Sequence, residues 1–169
     1  EMKDYSTMVK WLIANGSADA SKICITGFSY GGYMACYALT YASDVFTHGM
    51  AGGSVTDWTL YDSHYTERYM GTPSNNPDGY KSSNVMTHAA KYKGMIQIVH
   101  GMIDDNVHMQ NSIQFISKLQ DLKKDFEFMP YSSGRHGWGG AKGLHYQNIK
   151  TKFIYKYLLE KEVPKTMLK

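Results

Sequence analysis

Cysteine is scarce: the 169-residue sequence holds two, Cys24 and Cys36. Two in a chain of this length make no disulfide framework, and there is no C-x-x-C pair to suggest a zinc finger. Cys24 sits in a strand-like apolar run and Cys36 in a helix-like one, so both are expected to pack as small buried hydrophobes. A surplus of one charge is also missing. Eighteen Lys and Arg face fifteen Asp and Glu, a formal net charge of +3 without any cationic cluster, which argues against a nucleic-acid module. No apolar run approaches the roughly 18 residues that a membrane helix needs. The opening EMKDYSTMVKW lacks the cationic-then-apolar order of a signal peptide. Proline is rare, with four residues, and no Pro/Gly-rich linker, repeat or low-complexity stretch divides the chain. What is abundant is aromatic: 14 Tyr, 6 Phe and 3 Trp. Hydrophobic residues at 43% and charged residues at 20% sit near globular averages and exclude a disordered chain.

The patterning is that of one α/β unit. Residues 4–15 place Met8, Val9, Trp11, Leu12 and Ile13 near helical spacing, with Asn15-Gly16 as a stop. KICITGF, 22–28, reads as a short buried strand, and SYGGYMACYALTYA resumes helical character. THGMAGG, 47–53, is a poor strand by propensity, but small residues suit a sheet edge that feeds a site. Residues 54–94 are polar and irregular, with short helices expected. IQIVH, 96–100, is a second clear buried strand. Over 107–124, Val107, Ile113, Ile116, Leu119 and Leu122 share one helical stripe, and Lys123 and Lys124 favour its C-terminus. DFEFMPY, 125–131, alternates like a strand, a glycine-rich loop follows, and a last helix is expected over 144–160. Strands separated by helices imply a mostly parallel sheet covered on both faces. In such a sheet the chemistry gathers at the strand-to-helix loops.

One of those loops carries Gly27-Phe28-Ser29-Tyr30-Gly31, a G-x-S-x-G between strand and helix. Five loosely fixed positions recur by chance; the flanking strand and helix and a further Gly32 are what give this match weight. A turn that tight leaves the serine at its apex and asks for small neighbours, hence the glycines. The apex lifts the Ser29 hydroxyl over a helix N-terminus, where the backbone N–H of Tyr30 faces the oxyanion of an acyl intermediate.

An acid and a base should follow in that chain order. Gly101-Met102-Ile103-Asp104-Asp105-Asn106 follows the second buried strand. With a helix beginning near Val107, Asp105 or Asn106 is placed to be its N-cap. Asp104 is then free to reach a histidine and is the choice for the orienting acid, although spacing alone does not separate the two adjacent aspartates. Seven histidines compete for the base. His48, His64 and His88 precede the acid, and His145 falls on or near the final helix. His136, in the glycine-rich loop after the last strand, is the choice. His100, Asp104 and His108 recur every four residues and on one helix would suggest zinc, but the strand and Gly101 break that helix, so no metal and no cofactor is expected.

The segments GFSYGGY (27–33), YTERYMG (65–71) and HGMIDDNVH (100–108) resemble the prolyl oligopeptidase family of serine peptidases, most closely its dipeptidyl peptidase IV branch. The likeness runs along nearly the whole chain. GxSYGGY marks the wider family; the other two segments are more specific to the branch. The resemblance implies an α/β-hydrolase fold with Ser29, Asp104 and His136 as its triad, and cleavage after proline near a peptide's N-terminus. It implies that Asn106 binds a substrate carbonyl, and that Val55, Trp58, Tyr61, Tyr65 and Val107 form the proline pocket. A flat rigid ring stacks well between aromatic faces, and its tertiary amide brings no N–H to satisfy. Without the resemblance, core packing is the simpler account of these tyrosines.

Family members are several times longer, with an N-terminal β-propeller and further sheet strands. Residues 1–169 therefore read as the C-terminal part of the hydrolase domain. The acidic pair that grips the substrate's amino group, and a tyrosine that completes the oxyanion hole, are expected upstream of Glu1. Ser132-Ser133-Gly134-Arg135 lacks the acidic residues common before the histidine in relatives. The expected partners are peptides with a penultimate proline, and a second copy of the chain in a homodimer. The resemblance points to a periplasmic or extracellular location. Two other functions stand beside this one: an esterase or acylpeptide hydrolase on the same fold, and an inactive interaction domain.

Overall fold

The computed structural model describes residues 1–168. Four parallel strands form one sheet in the order β1-β2-β3-β4: β1 Cys24–Phe28, β2 His48–Gly52, β3 Met95–Gly101 and β4 Glu127–Tyr131. Helix α1 spans Met2–Ala14, α2 Tyr30–Tyr41, α6 Gln110–Asp121 and α7 Gly140–Phe153. Between β2 and β3 lie α3 (Ser63–Met70), α4 (Pro77–Ser83), α5 (Val85–His88) and two 3₁₀ turns, Trp58–Leu60 and Ala89–Lys91.

The sheet is covered on both faces, as its patterning predicts. Ile96 and Ile98 of β3 join a core with Leu39, Phe115 and Leu119 from α2 and α6. The alternate residue Gln97 turns the other way, and its amide donates to the Ile149 carbonyl of α7. β2 forms despite its weak propensity because it pairs on both sides, and at Gly49 an added Cβ would lie 2.9 Å from Leu39 of α2. Small residues there let the helix lie close to the strand.

The irregular 54–94 segment holds its shape through side-chain caps. Asp57, Asp62, Asn76 and Asn84 each accept a hydrogen bond from a backbone N–H in the turn they open, which satisfies donors that short helices leave free. The Asn84 amide also donates to Asp57 across the segment, at 2.7 Å.

Several sequence expectations need correction. The helix expected from Val107 begins at Gln110; its N-cap is Met109, without a side-chain bond, and neither Asp105 nor Asn106 caps it. The buried stripe runs through Asn111, Ser112, Phe115, Ile116 and Leu119, while Ile113 is exposed. Ile113 lies on the outward side of the helix, and Phe115 takes its place in the inward stripe. The final helix starts at Gly140 rather than 144 and continues into π-helical turns over Ile154–Leu159. Cys36 is fully buried, but Cys24 is only half-buried because β1 is paired with β2 alone among the described residues.

Candidate active site

Ser29, Asp104 and His136 follow β1, β3 and β4, and the parallel register brings these strand ends to one edge: Phe28 lies beside Gly52, Gly52 beside Val99 and Gly101 beside Tyr131. Ser29 stands between β1 and α2 with φ 58° and ψ −119°, a conformation that a non-glycine residue adopts at a cost of about 1–3 kcal/mol. Its N–H donates to the Gly52 carbonyl at 2.8 Å, and the Ser29 carbonyl accepts from the Tyr33 N–H at 2.9 Å. These bonds hold the turn from both sides. The glycines divide unequally. A Cβ on Gly27 would meet the Gly31 carbonyl oxygen at 2.2 Å, and one on Gly32 would meet Ser54 Oγ at 2.3 Å. A Cβ on Gly31 meets nothing within 4 Å. The symmetric demand for small residues on either side of the serine is therefore corrected: the close approaches are at Gly27 and Gly32.

The three side chains form one hydrogen-bonded chain. Ser29 Oγ lies 2.9 Å from His136 Nε2, and His136 Nδ1 lies 2.8 Å from Asp104 Oδ2. A carboxylate only accepts, so the ring hydrogen belongs on Nδ1 and Nε2 is free to accept from the serine. Asp104 is buried, and its other oxygen accepts from the N–H groups of Asn106 (3.0 Å) and Val107 (2.9 Å). The aspartate thus closes its own turn while it faces the histidine, which is why no N-cap is left for its neighbours. Asp105 instead pairs on the surface with Arg135.

The histidine loop is fixed by packing. A Cβ on Gly101 would strike the carbonyl oxygens of Gly134 and Arg135, each at 2.3 Å, so only glycine at the end of β3 lets the loop pass so close. The His136 ring sits 5.3 Å from Phe28, Trp138 packs edge-on against Phe28, and Tyr131 stacks on Trp138 at 4.3 Å. Phe28 and Trp138 escaped the sequence reading because nothing in their spacing marks contacts between residues 108 and 110 positions apart.

Tyr30 is the first residue of α2, so its N–H has no acceptor within the helix. Its ring belongs to an aromatic cluster. Trp58 lies 6.0 Å from each of Tyr30, Tyr61 and Tyr65, and Tyr61 meets Tyr65 edge-on at 5.4 Å. The Tyr61 hydroxyl donates to Asn106 Oδ1 at 2.7 Å, which fixes the amide so that its nitrogen is the donor side. The structure therefore gathers Trp58, Tyr61, Tyr65 and Asn106. Val55 and Val107 are buried and offer almost no surface, whereas Tyr65 and Asn106 are exposed. A cavity of about 520 Å³ is bounded by Tyr30, Trp58 and Tyr65 together with Met2, Met34 and Met70. The Tyr30 hydroxyl donates to Glu1 Oε1 at 2.8 Å, and burial, then this acid, raises its pKa above the ordinary tyrosine value.

Of the residues weighed as a metal set, His108 is exposed, while His100 is buried against Asp104. Its place on β3 in step with Ile96 and Ile98 is the signal that marks it: a polar residue on an otherwise apolar inward face.

A model of the prolyl oligopeptidase family matches residues 1–161. The chain belongs to that family. It is 39% identical over 157 residues to prolyl endopeptidase FAP of Homo sapiens, covering 91% of this chain and 21% of that protein. It is 42% identical over 154 residues to dipeptidyl peptidase 4 of Felis catus, covering 89% and 20%. Among solved structures, dipeptidyl peptidase 4 of Porphyromonas gingivalis is similar with a TM-score of 0.89 at 36% identity, covering 93% of this chain and 22% of that one. The fold of this family member is thus an α/β-hydrolase fold, and the chain spans about a fifth of the length of the curated relatives it matches.

Proposed function

We propose that the protein carrying this chain is a serine peptidase that releases short N-terminal peptides after proline, in the manner of its dipeptidyl peptidase relatives. The observation that carries the reading is the continuous hydrogen-bonded chain Ser29–His136–Asp104, with the serine raised on a strained backbone.

In this reading His136 Nε2 takes the Ser29 proton as Oγ attacks the carbonyl carbon of the scissile bond. The imidazolium that forms is held by the Asp104 carboxylate, and its proton then passes to the departing amine. Negative charge on the tetrahedral oxygen falls near the Tyr30 N–H at the start of α2, where a fixed donor and the helix dipole both favour it. Water repeats the sequence on the acyl-enzyme and returns Ser29 to its starting state. The amide nitrogen of Asn106 donates to the substrate carbonyl before the proline, and the rings of Tyr61, Tyr65 and Trp58 supply stacking faces for the pyrrolidine ring. An esterase on the same fold is disfavoured by this aromatic wall, which an unselective acyl group does not need.

The test uses the full-length protein. Treated with a fluorophosphonate probe and mapped by mass spectrometry, it should carry the adduct on Ser29. Gly-Pro-p-nitroanilide should be cleaved well in preference to p-nitrophenyl acetate, and Ser29→Ala should abolish both the label and the cleavage. An adduct elsewhere with Ser29→Ala fully active sinks the assignment, and a clear preference for the ester sinks the post-proline reading.

A further inference from the structure

Of the seven histidines, His100 alone is buried, with no exposed surface. It stands on β3, and its ring reaches two elements at once. Nε2 lies 2.8 Å from the Val107 carbonyl oxygen and 3.4 Å from Asp104 Oδ2, while Nδ1 lies 2.7 Å from Ser112 Oγ in α6. Carbonyl and carboxylate oxygens only accept, which assigns the hydrogen to Nε2; Nδ1 then accepts from the Ser112 hydroxyl. Burial pushes the pKa of this ring below the ordinary histidine range, and the ionisable groups that face it are Asp104, from its own loop, and His136, from the loop after β4. A neutral ring with one donor and one acceptor thus has each atom engaged.

No substrate can touch a side chain this deep, so His100 is not a catalytic residue. We propose that it is a positioning residue. Its single N–H donates to the backbone of Val107 and lies 3.4 Å from Asp104 Oδ2, so one ring sets both the direction in which the carboxylate faces His136 and the seat of the turn that carries Asn106 and Val107. Asp104 Oδ1 is already held by two backbone N–H groups; beside Oδ2 stand His136 and the polar edge of the His100 ring, and loss of His100 leaves that oxygen to His136 alone. Partners of this outer kind orient the groups they touch, and removing one typically lowers activity by about 10–100-fold where it has been measured at metal sites. The proposal rests on the reading of Ser29, His136 and Asp104 as a working triad.

The experiment uses the full-length protein and whichever of Gly-Pro-p-nitroanilide and p-nitrophenyl acetate the wild type turns over. Loss of turnover in Ser29→Ala tests the triad by itself, so the His100 series reads positioning separately. His100→Leu keeps much of the volume and removes both bonds; His100→Gln keeps an N–H close to the position of Nε2. In His100→Leu, kcat should fall about tenfold with KM within about twofold. The acidic limb of its kcat/KM profile should move to higher pH, because a carboxylate oxygen that loses the N–H dipole beside it attracts the imidazolium proton more strongly. His100→Gln should recover most of kcat and return the limb to its wild-type place. A folded His100→Leu protein with an unmoved limb and unchanged kcat overturns the proposal, as does a Gln variant as impaired as the Leu variant. Should His100→Leu fail to fold, Ser112→Ala carries the test: it removes the hydroxyl that donates to Nδ1 and anchors the ring, and should lower kcat about threefold with the limb displaced the same way. Wild-type kcat and limb in that variant overturn the proposal equally.

Discussion

Tyr65 shows how much one side chain is asked to do. It is exposed, stacks with Trp58 at an interplanar angle of 21°, and meets Tyr61 edge-on. A ring that only filled the core would be covered. On the proposed reading, an exposed ring braced by two others is a face held ready for the proline ring, because its bracing lowers the entropy lost on contact. An aromatic contact of this kind is worth about 0.5–1.5 kcal/mol beyond the area it buries. In full-length protein, Tyr65→Ala should therefore lower kcat/KM more for a penultimate proline than for a penultimate alanine, narrowing the ratio by about tenfold, since about 1.4 kcal/mol is one decade. Both substrates are measured on folded protein with the melting temperature recorded beside them. An unchanged ratio with a lowered melting temperature returns Tyr65 to a packing role. Asn106 depends on the same braced group, since the orientation of its amide is set by the Tyr61 hydroxyl.

The nucleophile turn behaves as an element rather than as a serine with neighbours. Gly27 and Gly31 are both fixed by the motif, yet only at Gly27 does the backbone of the turn leave no room for a methyl group. Gly27→Ala should force β1 and α2 apart at the apex, displacing Ser29 from His136 with loss of most activity and a stability loss of a few kcal/mol, about the scale of overpacking. Gly31→Ala, by contrast, adds a helix former with open space around it, and should fold with unchanged or slightly raised stability, by up to about 1 kcal/mol. Thermal melts and turnover of the two variants check this; equal damage from both would mean that the turn is packed more symmetrically. The contrast also marks what the sequence can and cannot say. Strand, turn and helix around Ser29 were legible because hydrophobic run, glycine and resumed helical spacing are local. So was the order Ser29, Asp104, His136, because it follows strand order. The start of α6 was not, because Asp104 Oδ1 takes the N–H groups of Asn106 and Val107 and delays the helix. That is a tertiary choice, set by where His136 and His100 hold the carboxylate. The role of His100 was hidden for the same reason: a pattern of every fourth residue suggests a helix face, while the strand places His100 and Asp104 together across a turn.

At the scale of the molecule, β1 pairs with β2 alone among the described residues, and Tyr5, Met8 and Trp11 of α1 stand exposed. A strand with a free edge is a template for another chain. The 169-residue chain expressed by itself should accordingly self-associate, eluting ahead of a 19.1 kDa monomer in size-exclusion chromatography, with turnover on Gly-Pro-p-nitroanilide far below that of the full-length protein. A monodisperse, fully active monomer would contradict both expectations. The same architecture divides inheritance unevenly. The rings of Trp58, Tyr61 and Tyr65 come from the segment between β2 and β3, while Ser29, Asp104 and His136 come from the ends of β1, β3 and β4. On the proposed reading, substitutions in that segment can drift toward new substrates while the chemistry stays as it is. Asn106 has no such freedom: its N–H and that of Val107 are tied to the carboxylate beside the histidine, so on that reading a lineage that altered this turn would change recognition and rate in the same step.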